Sequence, residues 1–134
     1  PSCEQKINLN EIGVQGQSKT WAIITYGNGY YLSLQAQKIL QEKHQINIKV
    51  IQLYWLKPLA LEPIIDQIKN LKHVLIVDEC RKTGSLSEEL ITLLYEHFTN
   101  HPSENFPQLK RICAQDCFIP IGQAWQYILP SCED

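Results

Sequence analysis

The sequence has no methionine, no long hydrophobic run and almost no excess charge of either sign. Its longest near-apolar stretches, WAIITY and VLIV, fall far short of the roughly 18 residues a bilayer span needs, so no membrane role is expected. A net charge of −2 with scattered Lys and Arg leaves no basic stripe, which argues against nucleic acid as a partner. The five cysteines (Cys3, Cys80, Cys113, Cys117, Cys132) are an odd number without the spacing of a disulfide framework. Free thiols, a reducing compartment and a cytoplasmic location are the expectation. What is present is ordinary: 44% apolar and 19% charged residues over 134 positions fit one globular domain. A chain of this length buries roughly two-thirds of its unfolded surface without staples.

The chain alternates two kinds of signal. Trp21–Tyr26 is a continuous apolar run ending at Gly27-Asn28-Gly29. Leu32, Ala36, Ile39 and Leu40 then recur on one helical face. Ile46, Ile48 and Val50 alternate before Ile51 and Leu53 make the next strand apolar on both sides, and Pro58 ends that element. Pro63 suits a first helical turn, where its missing N–H costs nothing, and Ile64, Ile65, Ile68 and Leu71 form the buried stripe. Val74–Val77 is a third apolar strand. Ser85 and Glu88 have capping-box spacing ahead of Leu86, Leu90, Ile91, Leu94 and Phe98. Thr99–Gln108 reads as a surface loop, Leu109–Cys113 as a short strand and Gln123–Leu129 as a terminal helix stopped by Pro130. Lys6–Val14 can add an edge strand. Alternating strands and helices predict an α/β domain with a mostly parallel sheet covered on both faces.

Ligands of such sheets gather beyond the strand C-terminal ends, which places Gly27–Gly29, Tyr54, Trp55, Asp78, Glu79 and Asp116 on one edge. Gly27–Gly29 could cradle phosphate at a helix start. Leu32 stands where a dinucleotide fingerprint wants a small residue, and Tyr54-Trp55 where it wants an acid, so a tight turn is the better reading. Asp78 and Glu79 point to opposite strand faces and make a poor acid–base pair. Glu79 is expected to accept loop backbone donors while Asp78 sits at an interface. Cys113, Asp116 and Cys117 lack the further ligands of a closed zinc site. Arg81 and Lys82 could lower the thiol pKa of Cys80, although exposed cations beside a loop cysteine are commonplace. The acidic tail Cys132-Glu133-Asp134 could meet a basic partner.

The junctions Thr25-Tyr26-Gly27, Leu53–Leu59 (LYWLKPL), Ile76–Glu79 followed by Thr83-Gly84, and Arg111 with Asp116, Pro120 and Leu129-Pro130 occur in a distinctive order. In that order they resemble the C-terminal domain of the transketolase-like, thiamin-diphosphate-dependent enzymes. Within that group they resemble the β subunit of the E1 component of 2-oxo acid dehydrogenases, of pyruvate or branched-chain type. The similarity spans about residues 6–130. Gln52, Tyr54 and Ala60 depart from it where Asp, Arg and Asp are usual, and Ser85 and Ser87 stand where glycines are common.

The resemblance implies a three-layer α/β/α domain with a five-stranded mixed sheet, its first strand antiparallel to the rest. It implies that residues 1–134 are one domain excised from a longer E1-type chain. That parent would carry out oxidative decarboxylation of a 2-oxo acid, with acyl transfer to a lipoyl group. The resemblance further implies that thiamin diphosphate and Mg²⁺ are held by other domains, so no catalytic, cofactor or metal residue is expected here. The expected role is dimerisation with other E1 domains and docking of the E2 subunit-binding domain, with Asp78, Glu79, Asp116, Glu133 and Asp134 as interface candidates. A transketolase or deoxyxylulose-phosphate synthase relative carries the same domain. The rival reading is a stand-alone Rossmann-like nucleotide-binding module using Gly27–Gly29.

Overall fold

The computed structural model describes residues 6–132 and 134. Its elements follow the order β1 (Ile12–Gln15), β2 (Trp21–Thr25), α1 (Gly29–His44), β3 (Lys49–Leu53), α2 (Leu61–Ile68), β4 (His73–Arg81), α3 (Leu86–Asn100) and β5 (Gln108–Ala114), with a 3-10 turn at Gly122–Tyr127. The sheet runs β1-β3-β2-β4-β5. β1 is antiparallel to β3, and the remaining pairings are parallel. This is the mixed five-stranded sheet expected, with helices on both faces. The edge strand is confined to Ile12–Gln15, shorter and later than the Lys6–Val14 the sequence suggests.

Period-two alternation sorts the strand residues between two unlike layers. On one face Ala22, Ile24, Ile51, Leu53, Val74 and Ile76 meet Ile64, Ile65 and Ile68 of α2 and Leu90, Leu94 and Phe98 of α3. All of them are buried, and they form the main core. On the other face Ile23, Ile48, Val50 and Val77 form a smaller cluster under Tyr30, Leu34 and Leu40 of α1. Within α1 only Gly29 and Ser33 are fully buried, so the stripe of Leu32, Ala36, Ile39 and Leu40 is half covered.

The C-terminal segment departs from expectation. Gln123–Leu129 is not an α-helix; Gly122–Tyr127 makes a 3-10 turn with no buried residue. Pro120 and Pro130 leave too few residues between them for a helix to nucleate without tertiary support. Phe118, Ile121 and Tyr127 are 93%, 100% and 83% exposed. The capping box is also altered. The Glu88 carboxylate accepts from the Gly84 N–H at 2.7 Å, and the Ser85 hydroxyl pairs with that of Ser87 at 2.8 Å rather than capping α3.

Candidate functional site

Parallel register sets the geometry of the strand C-terminal edge. Thr25 pairs with Val77, so the next residues, Tyr26 and Asp78, stand side by side on the α2/α3 face. The Tyr26 hydroxyl donates to Asp78 Oδ1 at 2.5 Å, and the Cys80 N–H donates to the same oxygen at 2.7 Å. The Ser87 N–H, in the first turn of α3, donates to Oδ2 at 3.2 Å. Asp78 is 1% exposed. Burial pushes its carboxyl upward, but the donors from Tyr26, Ser87, Cys80 and Ser85 outweigh it and hold the group below its ordinary value. Tyr26 moves the other way: burial, then the Asp78 carboxylate, raise its phenol far above the usual 10. Asp78 therefore remains ionised and Tyr26 protonated.

Ser87 extends this cluster, its hydroxyl accepting from Arg111 Nη1 at 3.2 Å and lying 3.5 Å from Cys113 Sγ. Glu79 points to the opposite face, where its Oε1 accepts from Asn28 Nδ2 at 3.0 Å. Buried Asp78, rather than Glu79 as expected, takes the loop backbone donors, and Glu79 clamps the glycine turn. Asp116 accepts from the Thr83 hydroxyl at 2.6 Å and the Thr83 N–H at 3.4 Å, fastening the β4–α3 loop to the segment after β5. The Thr83 donors hold its carboxyl low. Asp134 lies elsewhere, accepting from the Ser131 N–H at 2.7 Å, and Glu133 lies outside the described residues.

The Cys80 thiol is not activated. Burial pushes its pKa up, the nearby Asp78 and Glu79 carboxylates add to the rise, and the Arg81 Nε–H turns away to the Thr83 carbonyl. Tyr26 is the member of the cluster that residue-by-residue reading misses. It lies 52 positions from Asp78, and only the parallel pairing of β2 with β4 brings the two together. Among the described residues no group of three or more His, Cys, Asp or Glu side chains converges as a metal site. The arrangement fastens strand ends and loops to one another, and each of its carboxylates already has donors.

The family described as "Transketolase, C-terminal domain" matches residues 11–133. The chain is 28% identical over 134 residues to the pyruvate dehydrogenase E1 component subunit beta of Bacillus subtilis, covering all of this chain and 40% of that protein. It is 38% identical over 98 residues to the corresponding subunit of Chlorokybus atmophyticus, covering 73% of this chain and 29% of that protein. The chain thus spans two-fifths or less of these two curated relatives. In fold it is similar to a split-gene transketolase solved as an inactive β4 tetramer. That match has a TM-score of 0.78 and 20% identity, and covers 98% of this chain and 41% of that one. Sheet order, strand junctions and the family match agree, and the chain belongs to the transketolase C-terminal domain family.

Proposed function

We propose that this chain is the C-terminal domain of a thiamin-diphosphate-dependent 2-oxo acid dehydrogenase E1 component of β-subunit type. Its work is to join E1 subunits and to dock a partner, the E2 subunit-binding domain. One observation carries the reading. The strand ends where an α/β sheet would hold a ligand are closed by the protein's own hydrogen bonds, while apolar side chains on the neighbouring segment stand in solvent. Phe118, Ile121 and Tyr127 form a run that a monomer has no reason to display and that an interface would bury.

Thiamin diphosphate and Mg²⁺ belong to the other domains of such a parent. The carboxylates here do not fit as a metal cradle: Asp78 is saturated by donors inside one face, Glu79 is spent on Asn28 across the sheet, and Asp116 on Thr83. No step of the parent's decarboxylation or of acyl transfer to a lipoyl group runs through this chain. A nucleotide at Gly27–Gly29 is disfavoured because the Glu79 carboxylate, 3.0 Å from Asn28, would face the phosphate.

Calorimetric titration of the chain tests the reading. Binding of an E2 subunit-binding domain, weakened when Phe118→Ser and Ile121→Ser are introduced, is the expected result. Loss of that binding on removing Glu133 and Asp134 would add the acidic tail to the docking surface. Nucleotide binding tighter than about 100 μM, roughly 5 kcal/mol, would overturn the reading in favour of the Rossmann-like rival.

A further inference from the structure

We infer that the opposite edge of the sheet, at the strand N-terminal ends, holds a binding site for a small aromatic carboxylate. The register lays Trp21, His73 and Gln108 side by side as the first row of the α1 face, with Ile23, Leu75 and Lys110 as the second. α1 packs across β3, β2 and β4, and a cavity of about 190 Å³ opens between its Leu40 and these two rows. That volume equals about six waters at liquid density, enough for one ring with a short side arm. It lies across the domain from the Tyr26–Asp78 cluster.

Three features select the ligand. The walls are almost wholly apolar, which favours a compact hydrophobic body. Trp21 and His73 stack with ring centroids 4.0 Å apart, and His73 Nδ1 is fixed by Gln108 Oε1 at 3.0 Å, so the mouth presents a flat, braced aromatic surface. The segments that open the strands at this edge carry charge of one sign. Segments 16–21, 45–49, 70–75 and 106–110 contain Lys19, Lys49, Lys72 and Lys110 and no Asp or Glu. Lys49 is turned to Gln67 beneath the other face, whereas Lys110, on the cavity wall, has no hydrogen-bond or ion-pair partner among the described residues. Lys43 and His44 in the last turn of α1 offset the negative end of that helix. An apolar slot with an aromatic lip and an unanswered ammonium group is complementary to an aryl or arylalkyl carboxylate.

The test uses 3-phenylpropanoate and its neutral amide as probes, followed by ¹H–¹⁵N correlation spectra of the 134-residue chain. Saturable shifts of the Trp21 indole N–H and the Gln108 side-chain amide are expected. The acid should bind about threefold to fivefold more tightly than the amide, the scale of an exposed ion pair. Lys110→Gln, an exposed change that leaves the core untouched, should erase that preference while leaving amide binding intact. Trp21→Ala should weaken both probes. Absence of saturable shifts up to 20 mM probe (about twentyfold above the dissociation constant of a roughly 1 mM site) would overturn the inference. So would shifts confined to Phe118–Tyr127, or an acid preference that survives Lys110→Gln.

Discussion

The two faces of the sheet are built from the same strands and finished differently. Facing α2 and α3, Ile24, Ile51, Ile76, Leu90 and Leu94 are all at 1% exposure or less, and the layer is dry and closed. Facing α1, Trp21 is 42% exposed, Leu75 and Ile112 are half-buried, and a cavity remains open. Strands of a parallel sheet carry apolar residues on both sides because both sides are normally covered. The contrast therefore separates two jobs. The α2/α3 face supplies the cohesion that folds the domain, and the α1 face and the C-terminal segment leave apolar surface uncovered.

The sharpest way to break the comparison is to remove the same amount of side chain from neighbouring residues of β4. Ile76→Ala, on the closed face, should cost about 2–5 kcal/mol in urea unfolding. Leu75→Ala, one residue away on the α1 face, should cost about 1 kcal/mol, because half of its surface is never withdrawn from water. Equal losses would mean that the open face is as tightly packed as the closed one.

Asp78 sharpens the comparison at the strand ends. Its carboxylate is favoured in the fold, so its folded pKa lies below the unfolded value of about 3.9. The stabilisation is present above that value and is lost as pH falls through the folded pKa. Asp78→Asn should cost about 1.5–3 kcal/mol at neutral pH, the scale of hydrogen bonds to a charged group. It should also flatten the acid limb of a pH–stability profile. Tyr26 should resist deprotonation well above pH 10 in an ultraviolet titration of the chain.

The smallest effect is expected beneath α1. Thr25 Oγ1 is buried without a hydrogen-bond partner among the described residues, and a Cβ added at Gly29 would lie 2.5 Å from it. Thr25→Val keeps the shape and removes the unsatisfied hydroxyl, and it should stabilise the domain by about 1 kcal/mol or leave it unchanged. A loss of stability in thermal unfolding would show that the hydroxyl has a partner.

Most of the architecture was legible because strand and helix periods are local properties. The stripe Ile64, Ile65, Ile68 and Leu71 is buried as its spacing requires, and so are Leu90, Leu94 and Phe98. The site was less legible, since its central contact is tertiary. Strand alternation puts Asp78 and Glu79 on opposite faces, but which of them meets the loop backbone depends on α3 starting above one face and α1 above the other. The terminal helix failed for a related reason. Ala124, Trp125, Ile128 and Leu129 have helical spacing, yet a stripe makes a helix only where a surface waits for it, and no residue of Gly122–Tyr127 is buried against the described residues.

One margin of the sheet rests on four residues. Ile12–Gln15 lie antiparallel along Leu53–Val50 and cover the outer backbone groups of β3. Without that short ribbon β3 would present a row of bare amides and carbonyls, the pattern that recruits strands from other chains. A polypeptide cut just after Gln15 would keep every fully buried isoleucine and still be liable to stack into aggregates, because its outermost seam had been unpicked.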